Sequence, residues 1–128
     1  MIKKLLATAR RHGLISLVLV VGFTALSVKA AQKAIDYQRA SALREVAQPG
    51  DIRMISRTDC SYCDQAHAWM NKHRIPFQEC MIDTDAACRA EFDRIGTRVT
   101  PTVLVRGEVQ RGFDAKRVTA SLSAVPAR

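Results

Sequence analysis

Runs of apolar residues divide the chain into a long amino-terminal segment and a region of short alternating elements. Leu14 to Val28 is a run of fifteen residues without an ionisable side chain. Residues 30–47 are rich in helix formers and lack Gly and Pro, which predicts a helix that ends at Pro49-Gly50. Its weak apolar stripe contains Ala31, Ile35, Ala42 and Val46.

Strands and helices alternate after Gly50. The apolar periodicity and the turn residues predict strands over 52–56, 77–83, 102–106 and 109–111. Helices are predicted over 61–74, from an N-cap at Asp85 to Ile95, and after a cap at Asp114. The order βαβαββα implies one parallel pair and one antiparallel pair of strands. The sequence therefore predicts an α/β domain with a mixed four-stranded sheet and flanking helices, preceded by a hydrophobic helix.

The pattern also predicts three functional segments. Residues 1–28 are a basic amino terminus with a hydrophobic anchor or signal, residues 29–50 a helical stalk or linker, and residues 51–128 the folded domain. The expected core side chains of this domain include Trp69, Met70, Phe77, Leu104 and Phe113.

Charge is distributed unevenly along the 128 residues. The net charge is +8, but residues 1–13 hold four bases and no acid. Residues 51–128 carry twelve bases against ten acids and are nearly balanced. A basic face for nucleic acid is therefore not supported.

The apolar run has two main interpretations. As a helix its fifteen residues span ~22 Å against a hydrocarbon core of ~30 Å, and Arg11 and Lys29 can extend to make up much of the difference. A membrane anchor would leave the basic terminus in the cytoplasm. A cleaved secretory signal would use Val28-Lys29-Ala30 as its cleavage site. Both interpretations place the domain outside the cytoplasm, whereas the third, a buried helix of a soluble domain, does not.

Four cysteines carry the candidate chemistry, and two of them form a C-x-x-C pair where a strand gives way to a helix. At a helix N-terminus the unpaired N–H groups and the helix dipole favour the thiolate of Cys60. Arg57 adds positive charge, while Asp59 and Asp64 oppose it. Cys60 is the expected nucleophile, and Cys63 can resolve a mixed disulfide.

The cysteines leave alternatives open. The four sulfurs could bind zinc, although Cys80 and Cys88 lack the spacing of a second zinc knuckle. Cys80 and Cys88 both point into the predicted domain, where they could form a structural disulfide or remain inert thiols. His67 follows Cys63 by one helical turn and could tune the thiolate or simply be solvated.

From about residue 51 to 121 the chain resembles the glutaredoxin branch of the thioredoxin-fold family. The resemblance is carried by Arg57-Thr58-Asp59-Cys60-Ser61-Tyr62-Cys63, by Val99-Thr100-Pro101-Thr102 and by Gly112-Phe113-Asp114. It implies a thioredoxin-like fold and a cis Thr100-Pro101 bond that faces Cys60. It also implies a substrate-binding surface made by Arg57, Tyr62, Thr100, Pro101 and Asp114.

The sequence departs from the family pattern at three points. Ser61 replaces the usual proline, and some members without that proline hold an iron–sulfur cluster with glutathione. Arg111-Gly112 replaces a Gly-Gly pair, and Asp114 is followed by Ala115, which weakens the expected glutathione site. Gly112-Phe113-Asp114 also resembles members that receive electrons from thioredoxin reductase.

The resulting hypothesis is a thiol–disulfide oxidoreductase that acts on a disulfide-containing protein or on glutathione. It needs no cofactor, although glutathione remains a candidate ligand. The alternatives are a glutathione-dependent iron–sulfur cluster carrier and a non-catalytic membrane-tethered interaction domain.

Overall fold

A computed structural model describes the backbone of residues 2–124 and the side chains of residues 13–124. The predicted basic side chains at positions 3, 4, 10 and 11 lie outside the described residues, as do residues 125–128 at the end of the predicted domain.

A single helix, α1 (Ile2–Val46), occupies the first third of the chain. It contains the predicted apolar run, and its part Gly13–Val46 is long enough to cross a membrane and apolar enough, with a mean hydropathy of 2.1. The chain forms two compact units, one up to Tyr37 and one from Gln38 onward. The functional division of this helix into an anchor and a stalk stays a prediction.

The apolar stripe predicted for the second part of α1 is confirmed at Val46, which packs against the core, and is wrong at its other three positions. Ile35 is 47% exposed, and Ala31 and Ala42 are exposed as well. The buried face consists of Ala40, Leu43 and Ala47, three and four residues apart. This face is buried because the large side chain of Leu43, and not Ala42 beside it, inserts into the core of the second unit.

The rest of the second unit alternates strands and helices in the predicted order. The strands are β1 (Ile52–Ser56), β2 (Gln78–Met81), β3 (Thr102–Val105) and β4 (Glu108–Arg111), and the helices are α2 (Ser61–Lys72), α3 (Ala86–Ile95) and α4 (Ala115–Ala124). The sheet order is β2-β1-β3-β4. β1 is parallel to β2 and antiparallel to β3, which is antiparallel to β4. This is the predicted mixed sheet.

Alternation along the central strands divides the core between the two faces of the sheet. Ile52 and Met54 point to the face covered by α2, α4 and the end of α1, and Ile55 points to the face covered by α3. Successive strand residues face opposite sides, so one strand serves both cores. The predicted core residues are confirmed. Met70 is fully buried, and Trp69, Phe77 and Phe113 pack on the core beneath α2 and α4, whereas Leu104 packs on the core beneath α3.

A partly buried ion pair joins the ends of several elements at the edge of the sheet where β1 begins. Asp51 accepts hydrogen bonds from Arg106 Nε at 2.8 Å and Nη2 at 3.0 Å. Asp51 also accepts from the backbone N–H of Gln48, and Arg106 donates to the carbonyl of Leu122 near the end of α4. The pair therefore connects the end of α1, the start of β1, the β3–β4 turn and α4.

Candidate active site at the start of helix α2

The local sequence places Cys60 at the junction between β1 and α2. β1 ends at the buried Ser56, and the chain then crosses residues 57–59 before α2 begins. Cys60 has extended backbone angles (φ −116°, ψ 95°) and caps the helix, because its Sγ accepts from the Cys63 N–H at 3.1 Å. The first sulfur thus lies at the positive end of α2.

The two cysteines of the C-x-x-C pair are joined. Cys60 and Cys63 form a disulfide with a Cα–Cα distance of 5.2 Å. Cys60 is 8% exposed and Cys63 only 2%, so in the oxidised state Cys60 is the more accessible of the two residues. Tyr62 between them is 73% exposed.

Charged side chains before Cys60 compensate each other. Arg57 Nε lies 2.7 Å from Asp59 Oδ1, and a second guanidinium nitrogen donates to Asp59 Oδ2. Both side chains are largely solvent-exposed, which weakens their effect further. The positive charge expected from Arg57 is therefore paired locally, whereas the Cys60 sulfur accepts directly from an N–H group at the start of α2.

The proline loop contains the predicted cis peptide bond, while its position facing Cys60 stays a prediction. The Thr100-Pro101 peptide bond is cis, which confirms what the family resemblance implied. The carbonyl of Pro101 accepts from the Gly112 N–H at 2.8 Å. This bond links the proline loop to the Gly112-Phe113-Asp114 segment, so two of the three matching motifs are adjacent in the fold.

Asp114 lies at the start of α4. Its Oδ1 accepts from the backbone N–H of Arg117 at 2.8 Å, which confirms the predicted cap. The guanidinium of Arg117 donates to the carbonyls of Arg111 and Gly112. These side chains line an open cleft of about 420 Å³ together with Lys116 and Ala120. Within residues 13–124 no hydrogen bond joins Asp114 to Arg57 or Thr100, the other two predicted glutathione-binding positions.

His67 is paired with a carboxylate. Its Nδ1 lies 2.5 Å from Glu79 Oε2, and Glu79 Oε1 accepts from the hydroxyl of the buried Ser56 at 2.6 Å. The His67 ring also contacts Phe77 edge-on. Glu79 therefore joins α2, β1 and β2, a role that the sequence analysis missed because its partners are distant along the chain.

The remaining two cysteines form a second disulfide. Cys80 in β2 and the fully buried Cys88 in α3 are bonded, with a Cα–Cα distance of 6.0 Å. Cys88 packs with Ile55, Ile82 and Phe92. The two disulfides thus leave no free cysteine in the described part of the chain.

Asp83 is a second site residue that the sequence analysis missed. Its Oδ2 accepts from both the backbone N–H and the hydroxyl of Thr58, two residues before Cys60. The bond from the Thr58 N–H is the main reason that the pKa of Asp83 lies below its usual value of 3.8. The only sequence signal is an aspartate directly after a strand, which does not identify its partner.

Comparisons with known proteins found one family match and several similar solved structures. Residues 52–110 match the glutaredoxin family model. Similar solved structures include the thioredoxin-like protein BC3987, which is 26% identical, with 56% of this chain and 97% of that chain covered and a TM-score of 0.48. Protein XcR50 from X. campestris is 31% identical, with 59% and 99% covered and a TM-score of 0.44. The buckwheat glutaredoxin–glutathione complex is 19% identical, with 75% and 97% covered and a TM-score of 0.45. No curated protein matches the sequence.

The family match covers β1 through β4, the segment that contains the C-x-x-C pair and the proline loop. The strand order and the disulfide at the start of α2 are observed in that same segment. Residues 52–110 of this chain therefore match the glutaredoxin family model, in a domain whose strand order and flanking helices are thioredoxin-like.

Proposed function

We propose that this chain is a thiol–disulfide oxidoreductase in which Cys60 is the nucleophile and Cys63 the resolving thiol. The observation that carries the proposal is the Cys60–Cys63 disulfide at the N-terminus of α2, where the Cys60 sulfur accepts the Cys63 N–H. In the reduced protein the same N–H groups can stabilise a thiolate at Cys60.

The first step is attack of the Cys60 thiolate on a partner disulfide. A bond forms between Cys60 Sγ and one partner sulfur while the partner S–S bond breaks, and the other partner sulfur leaves as a thiolate. The larger residual exposure of Cys60, 8% against 2% for Cys63, supports this assignment. The product is a mixed disulfide between Cys60 and the partner.

The second step releases the partner. The Cys63 thiolate attacks Cys60 Sγ, the Cys60–Cys63 bond forms, and the remaining partner sulfur leaves as a thiolate. Two electrons have then passed from the cysteine pair to the partner disulfide. The reverse sequence oxidises a partner dithiol, so the same residues serve both directions. Electrons move between sulfur atoms only, and the exchange requires no cofactor.

The surface around the pair suits an extended or disulfide-containing partner. Tyr62 and Val99 expose apolar side chains on the two motifs that flank the site, 73% and 44% exposed respectively. With Arg57, Thr100, Pro101 and Asp114 they are the proposed substrate contacts. Glutathione and a protein disulfide are the two candidate partner classes, and a glutathione complex is known for the buckwheat glutaredoxin.

The apolar part of α1 supports a location at a membrane. We propose that it anchors the chain with the redox domain outside the cytoplasm, since the four basic residues before it favour a cytoplasmic amino terminus. In an oxidising compartment both disulfides would be maintained.

Trapping of a mixed disulfide tests this function. We expect Cys63→Ser, incubated with glutathione disulfide or a disulfide-linked peptide, to accumulate an adduct on Cys60, because the resolving step is absent. Cys60→Ser should accumulate none, and Ser61→Ala, which removes a neighbouring hydroxyl, should behave as the parent. Mass spectrometry of the digested protein locates the adduct. An adduct on Cys63 in the Cys60→Ser variant, formed as fast as the adduct on Cys60, would reverse the two roles.

A further inference from the structure

The segment immediately before Cys60 is held by a side chain from a different part of the fold. Residues 57–59 lie outside helix and strand, and Thr58 is exposed. Its backbone N–H donates to Asp83 Oδ2 at 2.7 Å and its hydroxyl donates to the same oxygen at 3.1 Å. The two bonds fix the position of a residue only two places from the proposed nucleophile.

Asp83 itself lies within a short stretch that is covalently closed. Residues 81–87, here named the clasped segment, run from the end of β2 to the first turn of α3, and the Cys80–Cys88 disulfide joins the residues that flank them. Within the segment, the N–H groups of Thr84 and Asp85 donate to the carbonyl of Met81. Closing a loop of this size removes conformational freedom from it.

Further bonds orient the clasped segment against the sheet. The Ile82 N–H donates to the carbonyl of Ser56, the last residue of β1, at 2.9 Å. Asp85 Oδ1 accepts from the N–H groups of Ala87 and Cys88 and so begins α3. The Asp83 carboxylate therefore projects from a segment that is tied to β1, to α3 and to itself.

The charges around Asp83 keep its carboxylate ionised. The bond from Thr58, together with Arg57 and Arg89, lowers the pKa of Asp83, although partial burial acts in the opposite direction. The nearest guanidinium nitrogen of Arg89 is 3.8 Å from Asp83 Oδ1. An ionised carboxylate is the stronger acceptor for the two Thr58 donors.

We propose that Asp83 is a positioning residue for the Cys60–Cys63 site and that the Cys80–Cys88 disulfide holds it in place. Through Thr58, Asp83 fixes where the chain enters α2 and so keeps the Cys60 sulfur over the N–H groups that stabilise its thiolate. The second disulfide thereby contributes to the reactivity of the first, in addition to closing its own loop. This inference rests on the proposed function, in which the Cys60 thiolate is the attacking group.

The test measures the reactivity of Cys60 alone. In full-length Cys63→Ser, purified without reductant, Cys60 is the one free thiol because Cys80 and Cys88 stay bonded, and its alkylation by iodoacetamide at neutral pH reports its thiolate. We expect Asp83→Ala in this background to slow alkylation by about fivefold, the size of a helix-terminus interaction. Asp83→Asn keeps an acceptor oxygen for Thr58 and should restore the rate to within about twofold of the parent.

The second disulfide is tested in the same background. Cys80→Ala combined with Cys88→Ala should slow the alkylation of Cys60, as Asp83→Ala does. Adding Asp83→Ala to this double cysteine variant should slow alkylation of Cys60 by less than Asp83→Ala does in Cys63→Ser alone. Both changes release the contact between Asp83 and Thr58, so their effects should not add. The matched control is Asp93→Ala, since Asp93 is an exposed aspartate of α3 whose carboxylate has no partner within residues 13–124. Circular dichroism checks that each variant folds. If the double cysteine variant does not fold, the Asp83 variants alone decide whether Asp83 positions the Cys60 site.

Two results would overturn the inference. A folded Asp83→Ala variant that reacts as fast as Asp93→Ala would show that Thr58 needs no anchor. Equal changes in Asp83→Ala and Asp83→Asn would show that the charge of Asp83 matters and its hydrogen bonds do not. Failure of the proposed function gives a different signature, because the parent itself would then show no reactive thiol at Cys60.

Discussion

Individual residues at the redox site act mainly through backbone groups. Cys60 caps α2 with its sulfur, Asp83 accepts from the Thr58 N–H, and Asp114 caps α4. The nearby side-chain charges contribute less, because Arg57 is paired with Asp59 on an exposed surface. We therefore expect the reactivity of the cysteine pair to depend on where the chain turns from strand to helix, and a substitution of Arg57 to change it little.

At the same scale, the Asp51–Arg106 pair should make stability depend on pH. The hydrogen bonds from Arg106 are the main reason that the pKa of Asp51 lies below its usual value of 3.8. A carboxylate with a lowered pKa stabilises the fold above its unfolded pKa, and this contribution is lost as the pH falls below 3.8 toward the folded pKa.

We expect Asp51→Asn to lower the free energy of unfolding at pH 7 by about 2 kcal/mol, since charged hydrogen bonds are lost. The difference from the parent should shrink as the pH is lowered below 3.8, because Asp51 gains its proton in the unfolded chain before it does in the folded chain. Urea unfolding at pH 7 and at pH 3 measures both values, with the exposed Asp93→Asn as the control. A difference that stays constant with pH would mean that the ion pair does not account for the effect.

At the scale of elements, local patterns predicted what depends on near neighbours along the chain. Alternation predicted the strands, and the N-cap at Asp85 predicted where α3 begins. The cis peptide bond at Pro101 was implied by the family resemblance and not by the local pattern. β2 is shorter than predicted, because residues 82–84 leave the strand to form a turn. Contacts between distant segments, such as Asp83 with Thr58, leave no local pattern and were not predicted.

The end of α1 illustrates the same limit. Helix periodicity alone does not show which of two neighbouring faces of the helix is buried. The buried face is the one whose side chain fits the core formed by β1, β3 and α4. We expect Leu43→Ala, which truncates a fully buried side chain, to lower the free energy of unfolding by about 2–4 kcal/mol.

Ile35→Ala on the same helix is the matched control for Leu43→Ala. Its side chain is 47% exposed, so its truncation should change the free energy of unfolding by less than about 0.5 kcal/mol. Denaturant unfolding of the full chain measures both variants. Equal effects, or a larger effect at Ile35, would favour the apolar stripe first predicted for this helix.

At the scale of the whole molecule, an apolar helix and a redox domain are combined in one chain. Between Leu14 and Val28 every large apolar side chain is exposed, at 51% or more. The described structure does not bury this surface, which a bilayer would do favourably. The fold of the domain was predictable from its internal order of elements. The side of the membrane on which the domain lies, and whether the helix is cleaved, depend on the export machinery of the cell.

We expect the full chain to remain in the membrane pellet after alkaline extraction, with its mass unchanged. Val20→Arg, in the middle of the apolar run, should release it, because a charged residue at that depth costs about 2.5–3.5 kcal/mol. Val20→Leu keeps the apolar surface and should leave the chain in the membrane pellet. Recovery of a soluble form that lacks residues 1–30 would instead identify the run as a cleaved signal.

The reduction potential of the Cys60–Cys63 pair is the measurement that decides whether these two cysteines form a redox couple. The full chain is equilibrated in dithiol–disulfide buffers of graded potential, and the free thiols are alkylated and assigned by mass spectrometry. We expect one reversible transition in which the thiols of Cys60 and Cys63 appear together, with a tenfold change in ratio for each ~30 mV, as a two-electron couple requires. Two thiols that remain free and independent across the whole range would contradict it.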